Sequence, residues 1–405
     1  MKRALWNFKI IRGVGTMRKI SLVVFSILLL LSGCAPNFQK DQEIVQETDD
    51  SKEKAIIPKY KISDQYYQTI LPFEPSEARG LVVGQLNTRY DIDEFETGLM
   101  RIAQSSFNPD KYLFQEGQYL DRKTVGLWLN RKYTDEQLKE AGIKAEENIG
   151  LNPVDPGVGD VKTRNKENPI YLASILEHNY LVKGDDGTAR LGGVVIGLAL
   201  NSVHYYQEIQ YGPTYETKIT TEVLDREGKR IAGEVVGRLR QIKGLEKVPI
   251  TIALFEQESQ SSVVPGNFFA YAKVAEGSSK IGGWESVNED YILFPSDDAQ
   301  ELHRDDLTSF LNFKQDVEEY FPNFNGVIGK AFYIDNELQD LNISIPIQFY
   351  GKAETVGFTQ YVTGLILEHF PDYISVEVNV SSVNGPEAVI VREVNQDEPF
   401  VHIYQ

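Results

Sequence analysis

Apolar residues recur at helical spacing in several parts of the chain. The most regular run lies near the C-terminus, with one face formed by Phe358, Tyr361, Val362, Leu365, Ile366, His369 and Phe370. The same spacing predicts helices over residues 91–107, 219–242 and 305–321. A short helix is predicted to begin at Thr134 and to end at Gly142.

Short apolar or alternating runs between these helices predict strands. They cover residues 80–84, 112–114, 124–129, 170–182, 190–210, 248–255, 268–274, 327–334, 341–350, 374–380 and 388–393. The segments 183–187 and 335–340 have turn-forming compositions, so each predicts a β-hairpin. Residues 152–169 are rich in Pro, Gly and Asn, which predicts a loop.

Hairpins outnumber strand–helix–strand crossovers in this pattern. We therefore predict an α+β fold of antiparallel sheets with packed helices. The order hairpin, helix, strand, strand occurs at 170–275 and again at 326–394. The residue identities do not repeat, so the pattern is compatible with two related β-hairpin–α–β–β halves and with two unrelated ones. A length of 405 residues favours two domains, predicted at 61–256 and 257–405.

A short apolar run near the N-terminus has the features of a bacterial export signal. Arg18 and Lys19 precede the apolar residues 20–31. This run is shorter than the about 20 residues that a membrane-spanning helix needs. Residues 1–33 are therefore predicted to be a signal peptide, with translation starting at Met1 or at Met17.

The apolar run ends in a lipobox, the signal for lipid attachment in bacteria. Its residues are Leu31, Ser32, Gly33 and Cys34. Cys34 is the one cysteine of the sequence, and its thiolate is the group that takes a diacylglycerol. We predict that signal peptidase II cleaves between Gly33 and Cys34. The lipid on Cys34 would then anchor the body to the outer face of the cell membrane.

The mature chain is predicted to be acidic, with a polar segment at its start. Residues 35–60 are rich in Asp, Glu, Gln and Lys, which predicts a disordered tether behind the lipidated residue 34. The sequence carries a net charge of −18, and loss of the six basic residues in 1–33 leaves −24. So much negative charge argues against a nucleic-acid partner and against binding to anionic lipid by charge.

The chain lacks the usual motifs of enzymes and metal sites. Its five histidines are far apart in sequence: His178, His204, His303, His369 and His402. There is no G-x-S-x-G elbow and no phosphate-binding loop, and the cysteine is assigned to lipidation. We predict a protein that is not an enzyme and that holds no metal or cofactor.

A cluster of tyrosines is the candidate ligand site of the folded body. Tyr205, Tyr206, Tyr211 and Tyr215 lie close together in sequence, beyond the first hairpin. Aromatic faces can stack on sugars or on peptides, so these residues could bind a cell-wall glycan or peptide. The alternative interpretation is a tyrosine-rich surface of a sheet.

Three parts of the sequence together resemble the CamS family of sex-pheromone lipoproteins of Gram-positive bacteria. They are the lipobox signal, RGLVVGQLNTRYDIDEFETGLMRIAQSSFNPDKYLFQEGQYL and GGVVIGLALNSVHYY. The resemblance implies that a fragment of the signal peptide is trimmed to a short apolar peptide that acts as a mating pheromone. The corresponding positions are Ile27, Leu28, Leu29, Leu30, Leu31, Ser32 and Gly33. The family's peptide has an aromatic residue in mid-sequence where this stretch has leucine, and the resemblance assigns no role to the folded body.

Overall fold

The strands of this computed structural model form two large sheets and one two-stranded sheet in the described residues, which are 42–47, 52–58, 60–63, 66–184, 187–320, 326–349 and 351–405. The strands are β1 (Gln42–Glu47), β2 (Lys52–Ile57), β3 (Gln68–Thr69), β4 (Tyr112–Glu116), β5 (Leu172–Lys183), β6 (Thr188–Asn201), β7 (Val203–Gln207), β8 (Thr214–Lys218), β9 (Ile250–Gln257), β10 (Asn267–Val274), β11 (Trp284–Ser286), β12 (Glu289–Phe294), β13 (Ile328–Ile334), β14 (Glu337–Pro346), β15 (Ser375–Ser382), β16 (Gly385–Arg392) and β17 (Phe400–Ile403). The helices are α1 (Leu81–Gln85), α2 (Arg89–Ala103), α3 (Arg122–Leu129), α4 (Asp135–Ala141), α5 (Val161–Glu167), α6 (Thr221–Leu239), α7 (Asp297–Leu302), α8 (Arg304–Tyr320) and α9 (Lys352–His369). The predicted α+β class is confirmed.

The first sheet has helices on both faces. Its strand order is β11-β10-β9-β6-β5-β4-β3, and β1 pairs with the start of β6. On one face α6 buries Ile231, Val235 and Leu239 against the central strands, as its apolar stripe predicts. On the other face α2 buries Phe95 and Leu99. Two separate cores therefore sandwich β5, β6 and β9.

The second sheet is covered by helices on one face. Its order is β12-β13-β14-β15-β16-β17, and α7, α8 and α9 form a single core with it. The predicted stripe of α9 is confirmed at Phe358, Val362, Leu365 and Ile366, which are all buried. On the opposite face, alternate residues of β14 and β15 such as Asn342 and Asn379 are half-buried and polar.

The two sheets share one topology. The first sheet contains six neighbouring strands in the order β4-β5-β6-β9-β10-β11. The six strands of the second sheet are neighbours in the order β12-β13-β14-β15-β16-β17. In each of these six-strand sets the third and fourth strands are parallel and the other described neighbours are antiparallel. A crossover helix, α6 or α9, connects each parallel pair. The prediction of two related halves therefore agrees with the order and the direction of twelve strands.

Several local predictions were wrong. Residues 80–84 and 124–129 were predicted as strands, but 81–84 lie in α1, with Gly80 as its N-cap, and 124–129 lie in α3. The Asp121 carboxylate accepts the N–H of Thr124 at 2.6 Å and so begins α3 as its N-cap. Helix α2 begins behind the cap of Thr88, two residues before the predicted start. Part of the predicted loop 152–169 forms α5 behind the cap of Asp160.

The predicted disordered tether also needs correction, because β1 and β2 lie within residues 34–60. Ile44, Ala55 and Ile57 are buried in a small core together with Leu113 and Leu181. These scattered apolar residues are few, but they cover the end of the first sheet. Apart from residues 58 and 60, the rest of the tether lies outside the described residues, as do the signal peptide and Cys34.

The predicted boundary at 256 and 257 separates strands that the structure pairs. β10 and β11 come after that boundary, yet β10 pairs with β9 in the first sheet. The second sheet begins at Glu289. The division into two independently folding domains stays a prediction. Within the described ranges, no helix is long and apolar enough to cross a membrane.

Candidate functional site

A pocket of about 90 Å³ lies at the edge of the first sheet, between its two helical layers. Strand β4 ends at Glu116, so the part of β5 before His178 has no β4 neighbour. The pocket occupies this open edge, beneath α1 and the turn before it. Its apolar floor contains Phe114, Leu120, Val125, Ile175 and Leu176. We call it the Glu177 pocket, after a carboxylate at its base.

A glycine allows the chain to leave the sheet at this point. The N–H of Gly117 donates to the Glu177 carbonyl oxygen at 3.0 Å. A Cβ on residue 117 would lie 2.5 Å from the Glu177 Cβ, which is closer than real contacts allow. The absence of a side chain at residue 117 therefore lets the chain turn over Glu177 and continue into the loop before α3.

Three backbone N–H groups hold the Glu177 carboxylate. The N–H groups of Gln118 and Leu120 donate to the Glu177 carboxylate at 3.1 Å and 2.7 Å. The N–H group of Tyr119 also donates to it. Burial raises the pKa of Glu177 to about 7, against the lowering effect of these donors. This carboxyl group therefore changes its protonation state near neutral pH.

His178 lines the same pocket from the other face of β5. The side chain is 3% exposed, and its ring meets the Phe114 ring edge-on at 4.9 Å. Burial lowers the pKa of His178 to about 3, so the imidazole is neutral at pH 7. Its Nδ1 has no hydrogen-bond partner within the described part of the chain. A buried polar atom without a partner is unusual in a folded protein.

Charged groups stand at the rim of the pocket. Arg79 pairs with Glu116 at 3.3 Å, and Glu116 also accepts the N–H of Ser76 at 2.7 Å. These contacts hold the turn before α1 over the opening. Partial burial and then the nearby Glu116 carboxylate raise the pKa of Glu96, which lines the rim from α2. Two carboxylates and one guanidinium leave this rim with a net negative charge.

The interior of this pocket offers apolar surface, a neutral imidazole and the Glu177 carboxyl group, and the rim offers negative charge. Among the described residues, no group of three or more His, Cys, Asp or Glu side chains could hold a metal ion. A ligand that fits the pocket would place an apolar group inside and its polar end at the rim.

The structure brings two of the four predicted tyrosines together. Tyr206 and Tyr215 are paired in register on β7 and β8, and their rings stack at 5.8 Å. Tyr205 points to the other side of this hairpin, where its hydroxyl accepts the N–H of Gln260. Tyr211 lies in the turn with 90% of its surface exposed. A ligand role for these residues stays a prediction.

The Glu177 pocket was not predicted from the sequence. The signal was a charged residue and a histidine, Glu177 and His178, in the middle of an apolar strand. Their partners could not be predicted, because Glu96 and Glu116 come from other elements.

His369 was predicted to lie on the apolar face of the C-terminal helix. It also makes a polar contact, since its Nε2 lies 2.6 Å from the Asp316 carboxylate.

The fold and the sequence together place this chain in a class of two-sheet α+β proteins that has known relatives. The family model described as CamS sex pheromone cAM373 precursor matches residues 73–398, and the chain belongs to this family. The crystal structure of a sex pheromone precursor from Lactobacillus salivarius subsp. salivarius is 33% identical, with a TM-score of 0.77, and the match covers 85% of this chain and 98% of that one. The C-terminal domain of the sex pheromone staph-cAM373 precursor from Staphylococcus aureus is 34% identical, with a TM-score of 0.69, covering 79% and 99%. No curated protein matches the chain significantly.

Proposed function

We propose that this chain is an exported lipoprotein with two separate roles. Its signal peptide is the source of a short apolar peptide, and its folded body is a binding module outside the cell. Family membership supports the precursor role. The lipobox ending in Cys34 supports the lipid anchor at the outer face of the membrane.

The anchor is tested by metabolic lipid labelling of the intact protein in its host. Cys34→Ala should abolish labelling and leave the precursor uncleaved, because the sequence has no other cysteine. Ser32→Ala is the matched control, since it keeps a small residue in the lipobox and should still be processed. Labelled, cleaved Cys34→Ala protein would refute the assignment.

The peptide role is tested by a mating-response assay of culture supernatants. Residues 17–34 fused to an unrelated soluble domain should release the same activity as the full chain, because the candidate segment 27–33 lies within them. Leu29→Phe should raise the response of cells that recognise a peptide with an aromatic residue. If the fusion is silent and the native strain is active, the body contributes to the signal. If all are silent, this chain supplies no pheromone.

One observation carries the binding role of the body: the Glu177 pocket is a cavity of about 90 Å³ with a largely apolar lining at the edge of the first sheet. An array of cell-wall glycan fragments and short peptides tests it. Ala78 lines the pocket from its covering turn, so Ala78→Phe should fill the space and abolish capture. Ala145→Phe is the matched control because Ala145 is exposed elsewhere. Equal capture by both variants would place the ligand outside the pocket.

The stacked Tyr206 and Tyr215 support a second candidate, a glycan-binding surface on the β7–β8 hairpin. Tyr215 is 39% exposed, so a sugar ring could stack on it. Tyr215→Ala should lower glycan capture several-fold, whereas Tyr373→Ala changes an exposed tyrosine far along the chain and serves as control. Unchanged capture by Tyr215→Ala would remove this candidate.

A further inference from the structure

We propose that the outer edge of β17 pairs with the same edge of a second copy of this chain. Strand β17 ends the second sheet, and within the described residues no strand pairs with its outer side. The two strands would run antiparallel and join the two copies of this sheet into one. The inference is independent of the Glu177 pocket, so either can fail without the other.

The backbone of β17 presents hydrogen-bonding groups to the outside. The N–H of Tyr404 donates to the Glu387 carbonyl oxygen at 3.0 Å, so the backbone of Tyr404 faces β16. Hydrogen-bonded positions alternate along an antiparallel ladder, so the N–H and C=O groups of Val401 and Ile403 point away from β16. Such a row is a template for another strand, because an extended chain can pair with each of its groups.

The side chains of β17 lack the charges that commonly protect an edge strand. Residues 399–405 include no Asp, Glu, Lys or Arg. Apolar side chains are exposed on both faces of the strand, with Phe400 63% exposed on one face and Val401 40% exposed on the other. A strand that joins this edge would therefore cover apolar surface as well as backbone groups.

The opposite edge of the same sheet is protected. Its strand β12 begins with two carboxylates, Glu289 and Asp290. The Glu289 carbonyl oxygen also accepts the side-chain amide of Asn267 at 2.7 Å, so the first half of the chain already contacts this edge. This protection has no counterpart at β17 within the described structure.

One register suits pairing between two copies of β17. When Val401 of one copy opposes Ile403 of the other, both outward-facing positions of each strand form hydrogen-bonded pairs. A two-fold axis then passes between the two copies of His402, and Phe400 of one copy lies opposite Tyr404 of the other. Apolar and aromatic side chains therefore meet on both faces of the joined sheet.

A neighbouring residue limits the other registers. Sliding the copies by two residues would oppose Ile403 to Pro399, which has no N–H to donate. A second copy fits the favoured register because the two-fold axis opposes each group to one that can pair with it. We therefore infer a symmetric contact between identical edges.

The contact is small and joins two acidic molecules. A few strand pairs bury less surface than a stable dimer needs, so the dimer belongs to the transient class. The sequence carries a net charge of −18, and salt should strengthen the dimer by screening the repulsion between copies. Tethering of both copies to one surface, as the proposed lipid anchor would do, would raise their local concentration.

The first experiment measures the mass of the full mature chain by analytical ultracentrifugation, under reducing conditions that keep Cys34 from forming a disulfide. We expect a dimer fraction that grows between about 10 μM and about 1 mM. Val401→Pro removes an N–H that points away from β16, so it should weaken the dimer by about tenfold or more. Val401→Thr keeps the N–H and the branched shape, so it should weaken the dimer by less than about threefold.

Cross-linking tests the register directly in a Cys34→Ser background. His402→Cys places two cysteines across the two-fold axis at a non-hydrogen-bonded pair, where Cα atoms are about 4.5 Å apart and a disulfide can form. Phe400→Cys is the matched control, because its two copies lie four residues apart along the paired strands, or roughly 13 Å. Mild oxidation should link the first variant into a dimer and leave the second unlinked.

Several results would overturn the inference. A chain that stays monomeric over the whole concentration range has no such interface. A dimer that Val401→Pro leaves intact, or equal cross-linking of the two cysteine variants, would place the contact elsewhere. A monomeric chain whose capture on a peptide array is lost in Val401→Pro and kept in Val401→Thr would show that the edge takes an extended peptide instead of a second copy.

Discussion

Arg101 on α2 binds Glu289 on β12 through two of its nitrogen atoms. Nε lies 2.8 Å from one carboxylate oxygen and Nη2 lies 2.6 Å from the other. The same guanidinium pairs with Glu94, which accepts the Tyr291 hydroxyl at 2.6 Å. Arg101 also lies over the Phe332 ring at 4.8 Å. A buried polar network thus joins the helix of the first half to the sheet of the second.

Loss of Arg101 should therefore destabilise the protein strongly. Arg101→Met leaves Glu94 and Glu289 buried without their cation, with side chains only 6% and 8% exposed. We expect the free energy of unfolding to fall by about 3–5 kcal/mol in urea denaturation. Arg89→Met on the same helix is the control, because Arg89 is exposed. Equal stability of both variants would show that the network contributes little.

Two glycines of α6 should respond in opposite directions to alanine. A Cβ at Gly228 would lie 2.8 Å from the Leu200 side chain, so Gly228→Ala should cost about 1–3 kcal/mol by overpacking. A Cβ at Gly233 meets nothing within 4 Å in the described structure, so Gly233→Ala should stabilise the helix by about 0.5–1 kcal/mol. Thermal unfolding measures both, and a shift of the same sign would contradict the packing of α6.

The C-terminal helix allows a similar comparison between charged substitutions. Leu365 is 5% exposed in the core of the second half, whereas Leu367 on the same helix is 47% exposed. Leu365→Asp should unfold the second half, since it buries an unpaired carboxylate at a cost of several kcal/mol. Leu367→Asp should leave the stability nearly unchanged. Equal unfolding midpoints of Leu365→Asp and Leu367→Asp, measured by circular dichroism, would contradict this expectation.

Glu177 should make stability depend on pH. Its pKa of about 7 in the folded protein exceeds the ordinary value of 4.5, so the folded state binds the proton more tightly than the unfolded state. The protonated group stabilises the fold fully below about pH 4.5, and this contribution is lost as pH rises through 7. The difference in unfolding free energy between native chain and Glu177→Gln should therefore decline across that window. A constant difference over the same range would contradict it.

Regular periodicity is what made parts of the fold predictable. The stripes of α6 and α9 and the two hairpins are encoded in long, regular patterns. Short apolar runs, as at 80–84 and 124–129, do not distinguish a strand from a buried helical turn. There the caps decided the outcome, with Asp121 beginning α3. In the tether, a few apolar residues such as Ile44 and Ile57 were enough to dock β1 and β2.

The candidate site was less predictable than the fold, because it is assembled from distant elements. Strand alternation could have separated Tyr205 from Tyr206, since neighbours on a strand face opposite sides. No local sequence pattern links Glu177 to Glu96 or to the turn at Arg79. Those positions meet only because β4 ends early and leaves the edge of β5 open.

The position of α2 bears on the order in which the protein folds. Its apolar face needs the first sheet, but Glu94 meets Tyr291 across 197 positions of sequence. Contacts with so large a sequence separation form late, since the intervening chain must first be ordered. We expect each sheet to close around its own crossover helix, with α2 gaining full protection only when the second sheet is complete. Pulsed hydrogen exchange during refolding would then show the amides of α2 becoming protected after those of β5 and β6.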